Sequence, residues 1–416
     1  YSIDSYVPRI VDFSGCLAFT SLNHLSQGVC FMLCLMRIWQ WRSGVVYLKN
    51  LTSSAMIAIC FFGWWAPAHA AELEEAQLAA SEGRYSDVVN LLTGVLEEKG
   101  LDEASRVVAH SNRGIAYSLL NAYALARKDL NAALKLNPDH ALTMNHLGLL
   151  AEQVEKDYGV AADYYERSSA LGFSASRVNL ANLFMSGKGV PQTDEKAFEL
   201  LQQAALEEYA MAYTPLGEMM AEGKGTKRNS RAAVAMFQKS ASAGIADGQY
   251  ALADAYERGI GVGGSNAKAA EYYLKAAVQG HGRAQNSLGY LYRRGSGVPQ
   301  NFLEAAKWYR LAADQGVPSA MNRLAWLLAG CPKPEICDGE LAVELVQRAF
   351  EQKEFNEADR ASYEDSLAAG YARSGQFDMA IETMTRTLSN LRPGDRQYAG
   401  FARRLALYQT GIPKQL

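Results

Sequence analysis

The chain of 416 residues is poor in the side chains that most often build reactive sites. Of its six cysteines, only Cys331 and Cys337 follow residue 70, and five residues separate them. The histidines beyond residue 70 form no H-x3-H or H-E-x-x-H pair, and the sequence holds no G-x-S-x-G. A C-x5-C spacing without a neighbouring histidine is poor zinc geometry. We therefore expect no metal site, no cofactor and no catalytic centre, although a centre assembled from distant residues stays open.

An excess of positive charge is missing as well. The 41 Lys and Arg are outweighed by 44 Asp and Glu, which gives a formal net charge of -3. A nucleic-acid surface needs clustered Lys and Arg. We therefore expect no nucleic-acid partner.

The apolar run near the start of the sequence is also too short to span a membrane easily. Residues 55–66 are apolar but number only twelve, whereas a spanning helix needs about 20. Arg37, Arg42 and Lys49 precede this run, and Ala68-His69-Ala70 supplies a small-x-small cleavage site. Residues 36–70 therefore predict a signal peptide cleaved after Ala70 and a periplasmic or secreted protein, with an uncleaved membrane anchor or cytoplasmic retention as alternatives. Residues 1–35 are expected to be an upstream or disordered segment.

What the sequence does contain is a repeat of 36 residues. GKGVPQ at 187–192 returns as GSGVPQ at 295–300, which is three repeats later. Three kinds of position keep this interval: glycine pairs, leucines and alanines. The glycine pairs are Gly187, Gly189, Gly223, Gly225, Gly259, Gly261, Gly295 and Gly297; the leucines are Leu180, Leu216, Leu252, Leu288 and Leu324; the alanines are Ala197, Ala233, Ala269 and Ala305.

Each repeat reads as a helical hairpin. Residues 283–293 place apolar side chains at the 3–4 spacing of an amphipathic helix, and residues 303–314 form a second helix. The glycine pair ends the first helix, because glycine tolerates positive φ at a helix cap. One hairpin cannot bury both of its faces, so at least three must stack into a continuous core.

These units resemble the Sel-one-like repeat, a relative of the tetratricopeptide repeat. The pattern L-G-x-L-Y-x-x-G-x-G-V, followed by W-Y-x-x-A-A-x-x-G, fits 282–317 almost throughout and 246–281 well; 174–209 and 210–245 fit more loosely, and 141–173 is a degenerate copy. Residues 107–140 resemble a tetratricopeptide repeat through Gly114, Tyr117, Ala126, Ala133 and Pro138, as do 83–96 and 365–381. The resemblance implies an all-α, right-handed α-solenoid of stacked hairpins.

The implied segments follow in order along the chain. Tetratricopeptide-like repeats occupy 71–140, Sel-one-like repeats 141–317, a transitional hairpin with the cysteine pair 318–355, and a C-terminal tetratricopeptide-like repeat with its tail 356–416. In an oxidising envelope Cys331 and Cys337 are expected to form a disulfide. Free buried thiols, or a metal or redox site, are the alternatives.

The resemblance also implies a binding surface. In tetratricopeptide-like hairpins the first helix lines a concave groove, so residues two before, two after and five after the repeat leucine should face inward. The expected partner-binding residues are Glu218, Tyr250, Asp254, Glu257, Asn286, Tyr290 and Arg293. Carboxylates and aromatic rings suit a peptide that carries a basic residue. The alternative is a solvated helix face with no ligand.

The sequence thus predicts a non-catalytic protein–protein interaction scaffold of the bacterial cell envelope, with an envelope or host protein as its partner. A component of a polysaccharide-export or peptidoglycan-associated complex stays open, and so does an exported hydrolase. A membrane becomes a partner only if the signal is not cleaved.

Overall fold

The computed structural model describes residues 70–330, 332–352 and 354–413. Within them the chain forms nineteen α-helices and no strand, so the all-α prediction is confirmed. The helices fall into two compact units, one ending at Leu171 and the other beginning at Gly172. Residues 1–35 and, apart from Ala70, the predicted signal at 36–70 lie outside the described residues.

The first unit contains six helices in which sequence neighbours pack as antiparallel pairs. They are α1 (Ala70–Ser81), α2 (Tyr85–Glu97), α3 (Glu103–Leu119), α4 (Tyr123–Leu136), α5 (Ala141–Leu150) and α6 (Tyr158–Ala170). Residues 141–173 lack the hinge glycines of the later repeats. Here α5 continues as a π-helical turn, Ala151–Glu155, and Lys156 takes the positive φ of 60° that glycine takes elsewhere.

A buried ion pair joins α3 and α4. Asp129 is 4% exposed, and its carboxylate accepts two hydrogen bonds from Arg113, at 2.6 and 2.8 Å. The Nδ1 atom of His110 lies 3.0 Å from the same carboxylate, and Arg113 also donates to Thr93 of α2 at 3.0 Å. Burial alone would raise the pKa of Asp129, but the hydrogen bonds from Arg113 and His110 lower it overall.

The second unit contains the remaining thirteen helices of the described residues. They are α7 (Ser174–Ser186), α8 (Asp194–Leu206), α9 (Tyr213–Glu222), α10 (Ser230–Ser242), α11 (Ala246–Arg258), α12 (Asn266–Val278), α13 (Gly282–Arg294), α14 (Phe302–Asp314), α15 (Pro318–Gly330), α16 (Gly339–Phe350), α17 (Arg360–Arg373), α18 (Phe377–Ser389) and α19 (Tyr398–Gln409). Each helix packs on the next along the chain, as stacked hairpins require.

The repeating apolar positions form the core of this unit. The five leucines of the 36-residue series are all at most 5% exposed. On the second helices, Tyr273 and Tyr309 are fully buried, and alanines or glycines on the facing first helix leave room for their rings. A pair of amide side chains also recurs at the repeat interval: the exposed Gln279 and Gln315 donate to the buried Gln249 and Gln285, respectively, each at 2.8 Å.

The two glycines of each hinge have different surroundings. All eight have φ between 65° and 80°, the left-handed region that disfavours other residues. The first glycine ends the helix, and its surroundings differ between hinges. A Cβ added to Gly259 would lie 3.6 Å from its nearest neighbour, an ordinary contact, whereas one added to Gly295 would lie 3.1 Å from Gln300. A Cβ added to Gly261 would instead lie 2.2 Å from the carbonyl oxygen of Ser230, at the start of the preceding repeat's second helix. Gly225 and Gly297 approach Asp194 and Asn266 in the same way, so the second glycine of these three hinges is a point of backbone contact between consecutive repeats.

The unit at 210–245 begins differently from its neighbours. A short 3₁₀ segment, Ala210–Ala212, precedes α9, which starts at Tyr213. Pro215 consequently lies in the first turn of the helix, where a missing N–H leaves no hydrogen bond unmade.

Candidate partner-binding surface

The predicted binding residues lie on the first helices of three successive repeats, α9, α11 and α13. We call the accessible face of these helices, together with that of α15, the first-helix surface. Glu218 of α9 is close enough to Asp247 of α11 and Arg283 of α13 for their charges to affect its titration. Direct contact between repeats is made by Arg283 of α13, whose guanidinium lies over the ring of Tyr250 on α11.

Tyr250 lies at the centre of one cluster. The His281 ring stacks on it with centroids 4.7 Å apart and an interplanar angle of 21°, and the Arg283 guanidinium lies 4.9 Å from its centroid. His281 Nδ1 accepts the backbone N–H of Ala284 at 3.0 Å, which places the neutral ring's proton on Nε2, 3.2 Å from Asp247 Oδ1. This contact lowers the pKa of Asp247.

Asp247, His281 and Arg283 were missed from sequence. Asp247 and Arg283 occupy the position five before the repeat leucine, one turn beyond the first column chosen for the surface. Side chains three or four residues apart share a helix face, so extending the predicted surface by one turn towards the helix N-terminus would have included both. His281 had no such signal, because it precedes the helix and caps its start.

The acidic residues differ in how far the protein already satisfies them. Glu218 is exposed and makes no hydrogen bond or ion pair with any of the described residues. Partial desolvation raises the pKa of Glu218, and the neighbouring Asp247 and Glu222 carboxylates raise it further. Asp254 accepts a 3.3 Å hydrogen bond from Arg258 on its own helix. Glu218 is therefore the acidic group with most to gain from an added cation.

Glu257 serves the protein's own core. Its carboxylate accepts a 2.8 Å hydrogen bond from the hydroxyl of buried Tyr273. The same arrangement joins Tyr165 to Glu152, also at 2.8 Å. Glu257 therefore holds a buried hydroxyl group, whether or not it also meets a partner.

Asn286 does not lie on the accessible surface. It is 8% exposed, donates to Ser319 Oγ at 3.0 Å, and accepts from Arg323 at 3.2 Å. The following repeat covers it. We expected its side chain to face a partner. In the structure it instead joins α13 to α15.

Tyr290 is the centre of a second, basic cluster. The guanidinium carbons of Arg293 and Arg294 each lie 5.6 Å from its ring centroid, and that of Arg323 lies 5.0 Å away. Arg294 also donates to the Tyr290 hydroxyl at 3.1 Å. Arg293 was predicted from sequence. Arg323 was not, because it belongs to the next repeat and directly precedes the repeat leucine, a position that was not chosen for the surface.

Comparison with known families agrees with this architecture. A family model for the Sel1 repeat matches six consecutive units, namely 141–173, 174–209, 210–245, 246–281, 282–317 and 318–353, which together make up more than half of the chain.

The chain belongs to the Sel1 repeat family.

A tetratricopeptide repeat model also matches 107–140, so both resemblances seen in the sequence are confirmed. The sixth Sel1 unit, 318–353, covers the segment that the sequence reading treats as a transitional hairpin. Sel1 and tetratricopeptide repeat proteins are generally protein-interaction scaffolds.

Two solved structures show the same fold. A protective antigen present in uropathogenic Escherichia coli strains, which displays an SLR fold, is 23% identical with a TM-score of 0.55, covering 82% of this chain and 76% of that one. A Sel1 repeat protein from Oxalobacter formigenes is 24% identical with a TM-score of 0.52, covering 58% of this chain and 99% of that one.

A curated relative is the lipoprotein NlpI homolog of Haemophilus influenzae. It is 28% identical over 174 residues, which is 40% of this Sel1 repeat protein and 52% of that relative. The chain thus spans about half the length of the relative that it matches.

The sixth Sel1 unit carries the predicted cysteine pair. Cys337 is disulfide-bonded and follows a short 3₁₀ segment, Pro334–Ile336. Cys331 lies outside the described residues, so its pairing with Cys337 stays a prediction. Ile336 packs against the core formed by α14 to α17, which places this loop against the solenoid.

Two kinds of feature are absent from the described residues. None of their helices is both long and apolar enough to cross a membrane. No group of three or more His, Cys, Asp or Glu side chains among them is placed to hold a metal ion.

Proposed function

We propose that this Sel1 repeat protein is a non-catalytic interaction scaffold of the bacterial cell envelope, which holds a segment of a partner protein along the first helices of residues 210–317. The observation that carries the proposal is the exposed Glu218 carboxylate, which forms no ion pair with any described residue and lies in the same patch as Asp247 and Arg283. A lysine or arginine of the partner would supply the missing ion-pair partner.

The physical basis is a preformed surface of rings and charges. Tyr250 is held by His281 and Arg283 on its faces, so little side-chain freedom is lost when a partner packs against it. Aromatic anchors and paired charges dominate binding energy at protein interfaces. These groups lie on packed helices, so their positions are set before the partner binds.

The envelope location rests on other observations. Residues 36–70 have the basic start, apolar centre and small-x-small end of a signal peptide. The similarity to a lipoprotein supports the same compartment.

Selection from a random peptide display library tests the binding role. Peptides that bind the purified protein should be enriched in lysine or arginine, and Glu218→Lys should weaken their binding roughly tenfold, as the reversal of an interface charge does. Glu199→Lys is the matched control, because Glu199 is exposed on the second helix α8.

Two results would overturn the proposal. One is a set of selected peptides without any excess of basic residues. The other is equal binding of those peptides by the Glu218→Lys and Glu199→Lys proteins.

A further inference from the structure

Three arginines surround Tyr290 without a carboxylate partner. Arg293, Arg294 and Arg323 place their guanidinium carbons 5.0 to 5.6 Å from its ring centroid. None of the three forms an ion pair with any described residue. The hydrogen bonds that Arg294 and Arg323 donate go to neutral oxygens, the Tyr290 hydroxyl and the Asn286 amide. Three positive charges therefore lie together without an ion-pair partner among the described residues.

The repeat itself shows how this imbalance arises. In the repeat at 246–281, the buried hydroxyl of Tyr273 donates to Glu257. One repeat later the equivalent residues are Tyr309 and Arg293. Arginine has donors and no acceptor, so Arg293, which lies beside the buried Tyr309 hydroxyl, cannot accept its proton as Glu257 accepts that of Tyr273. The exchange of Glu for Arg thus removes an acceptor and leaves a surplus of donors.

The charges are also arranged by position along the second unit. The uncompensated carboxylate, Glu218, is on α9, and Asp247 and Asp254 follow on α11. The three arginines are on α13 and α15. The first-helix surface therefore changes from acidic to basic along the solenoid.

We propose that Arg293, Arg294 and Arg323 form a binding site for carboxylate side chains of the partner segment. This inference rests on the proposed function, because it assigns a second contact to the same segment. Guanidinium groups bind carboxylates through paired, charge-assisted hydrogen bonds, and the surplus of donors leaves them available. A segment with a basic residue near α9 and acidic residues near α13 and α15 would bind in one direction only.

Probe peptides of defined charge test this site. The first helices of neighbouring repeats lie roughly 10 Å apart, so six linker residues, each spanning about 3.3 Å, bridge two repeats. The parent probe is fluorescein-labelled KKKGSGSGSEEE with an amidated C-terminus, which removes the terminal carboxylate as an alternative source. Two further probes replace EEE or KKK with QQQ, and fluorescence anisotropy at low salt measures all affinities.

The expected result is a specific coupling. With the wild-type protein, replacing EEE by QQQ should weaken binding at least tenfold. The same replacement should have a much smaller effect on binding to the Arg294→Gln, Arg323→Gln double variant, which keeps only Arg293 of the three. Arg310→Gln, an exposed arginine on the second helix α14, should behave as the wild type does.

The exposed Arg294 is also changed alone, because Arg323 contacts Asn286 and its loss affects packing. The Arg294→Gln protein should keep the wild-type melting temperature and lose part of the coupling. If the EEE replacement weakens binding equally with and without the arginines, the carboxylate site is wrong.

The KKK replacement separates this inference from the proposed function. Its effect should vanish in Glu218→Gln and persist in the double arginine variant. Coupling of EEE to the arginines without coupling of KKK to Glu218 would leave the carboxylate site standing and contradict the proposed basic partner residue. The reverse pattern would do the opposite.

Discussion

A hinge position can require glycine for two reasons: its φ is positive, or a neighbouring atom leaves no room for a Cβ. Gly259 and Gly261 have similar φ values, 65° and 73°. An added Cβ is 3.6 Å from its nearest atom at Gly259 but 2.2 Å from a backbone oxygen at Gly261. The pair therefore allows the two costs to be measured separately.

Gly259→Ala should lower the free energy of unfolding by about 1 kcal/mol, the cost of a left-handed non-glycine residue. Gly261→Ala should cost about 1–3 kcal/mol more, because the backbone of the preceding repeat must move. Urea denaturation measures both. If both variants lose the same free energy of unfolding, the close contact with Ser230 contributes nothing to the cost of the Gly261 substitution.

The buried tyrosine hydroxyls offer a second matched pair. Tyr273→Phe should cost about 1.5–3 kcal/mol, because it removes a hydrogen bond to the Glu257 carboxylate. Tyr309→Phe should cost less, since that hydroxyl donates to no acceptor among the described residues. Thermal and urea unfolding of both variants test this, and a larger loss for Tyr309→Phe would contradict the assignment.

Asp129 predicts a dependence of stability on pH. Its pKa is lowered in the folded protein from the ordinary value of 3.8, so the unfolded chain binds the proton more readily. The stabilisation it gives is present above pH 3.8 and lost as the pH falls through the folded pKa. Asp129→Asn should therefore destabilise by about 3 kcal/mol at pH 7 and by progressively less as the pH falls below 3.8. A difference that stays constant as the pH is lowered from 7 to well below 3.8, measured by urea denaturation, would contradict the role of the ion pair.

At the scale of a helix, periodicity alone predicted most of the architecture. Helices expected at 283–293 and 303–314 are observed as Gly282–Arg294 and Phe302–Asp314. Such agreement is possible because the apolar face of a helix is set by the residues of that helix and its hairpin partner.

Leu288→Ala tests this element-level prediction. Leu288 is 1% exposed in the core of α11 to α14, and its truncation should cost about 2–5 kcal/mol. Leu303→Ala, at a site 50% exposed, should cost less than about 0.5 kcal/mol. Similar urea midpoints for the two variants would mean that the core phase is wrong.

The binding surface was harder to predict than the helices, because its side chains depend on the next repeat. Asn286 occupies an inward column, but Ser319 and Arg323 of the following unit cover it. Glu257 is held by Tyr273 of its own hairpin's second helix. Glu218 and Tyr290 keep accessible surface, yet part of their electrostatic surroundings comes from later repeats. Asp247 and Arg283 act on Glu218, and Arg323 lies over the Tyr290 ring. The position of a residue within the repeat predicts which face of the helix it occupies. It does not predict which side chains of the neighbouring repeats contact it.

At the scale of the second unit, contacts between successive helices dominate, so a complete repeat should be removable. Deleting 246–281 joins Ile245 to Gly282 and keeps every repeat position in phase. Gly297 would then face Ser230 in place of Asn266. We expect a folded protein with cooperative thermal unfolding by circular dichroism.

Deleting 246–263 is the control, because it removes one helix of a hairpin and leaves α12 without its partner. This protein should lose cooperative unfolding. If the shorter deletion is as stable as the longer one, the 36-residue hairpin is not the structural unit.

The contact between the second hinge glycine and the preceding repeat has an evolutionary consequence. Because main-chain atoms touch there, the pitch from one hairpin to the next owes little to the identity of the outward side chains. The position five before the repeat leucine can therefore pass through Ala175, Met211, Asp247, Arg283 and Ser319 without altering that pitch. Such a protein is free to acquire new partners by surface substitution while its spacing is inherited unchanged.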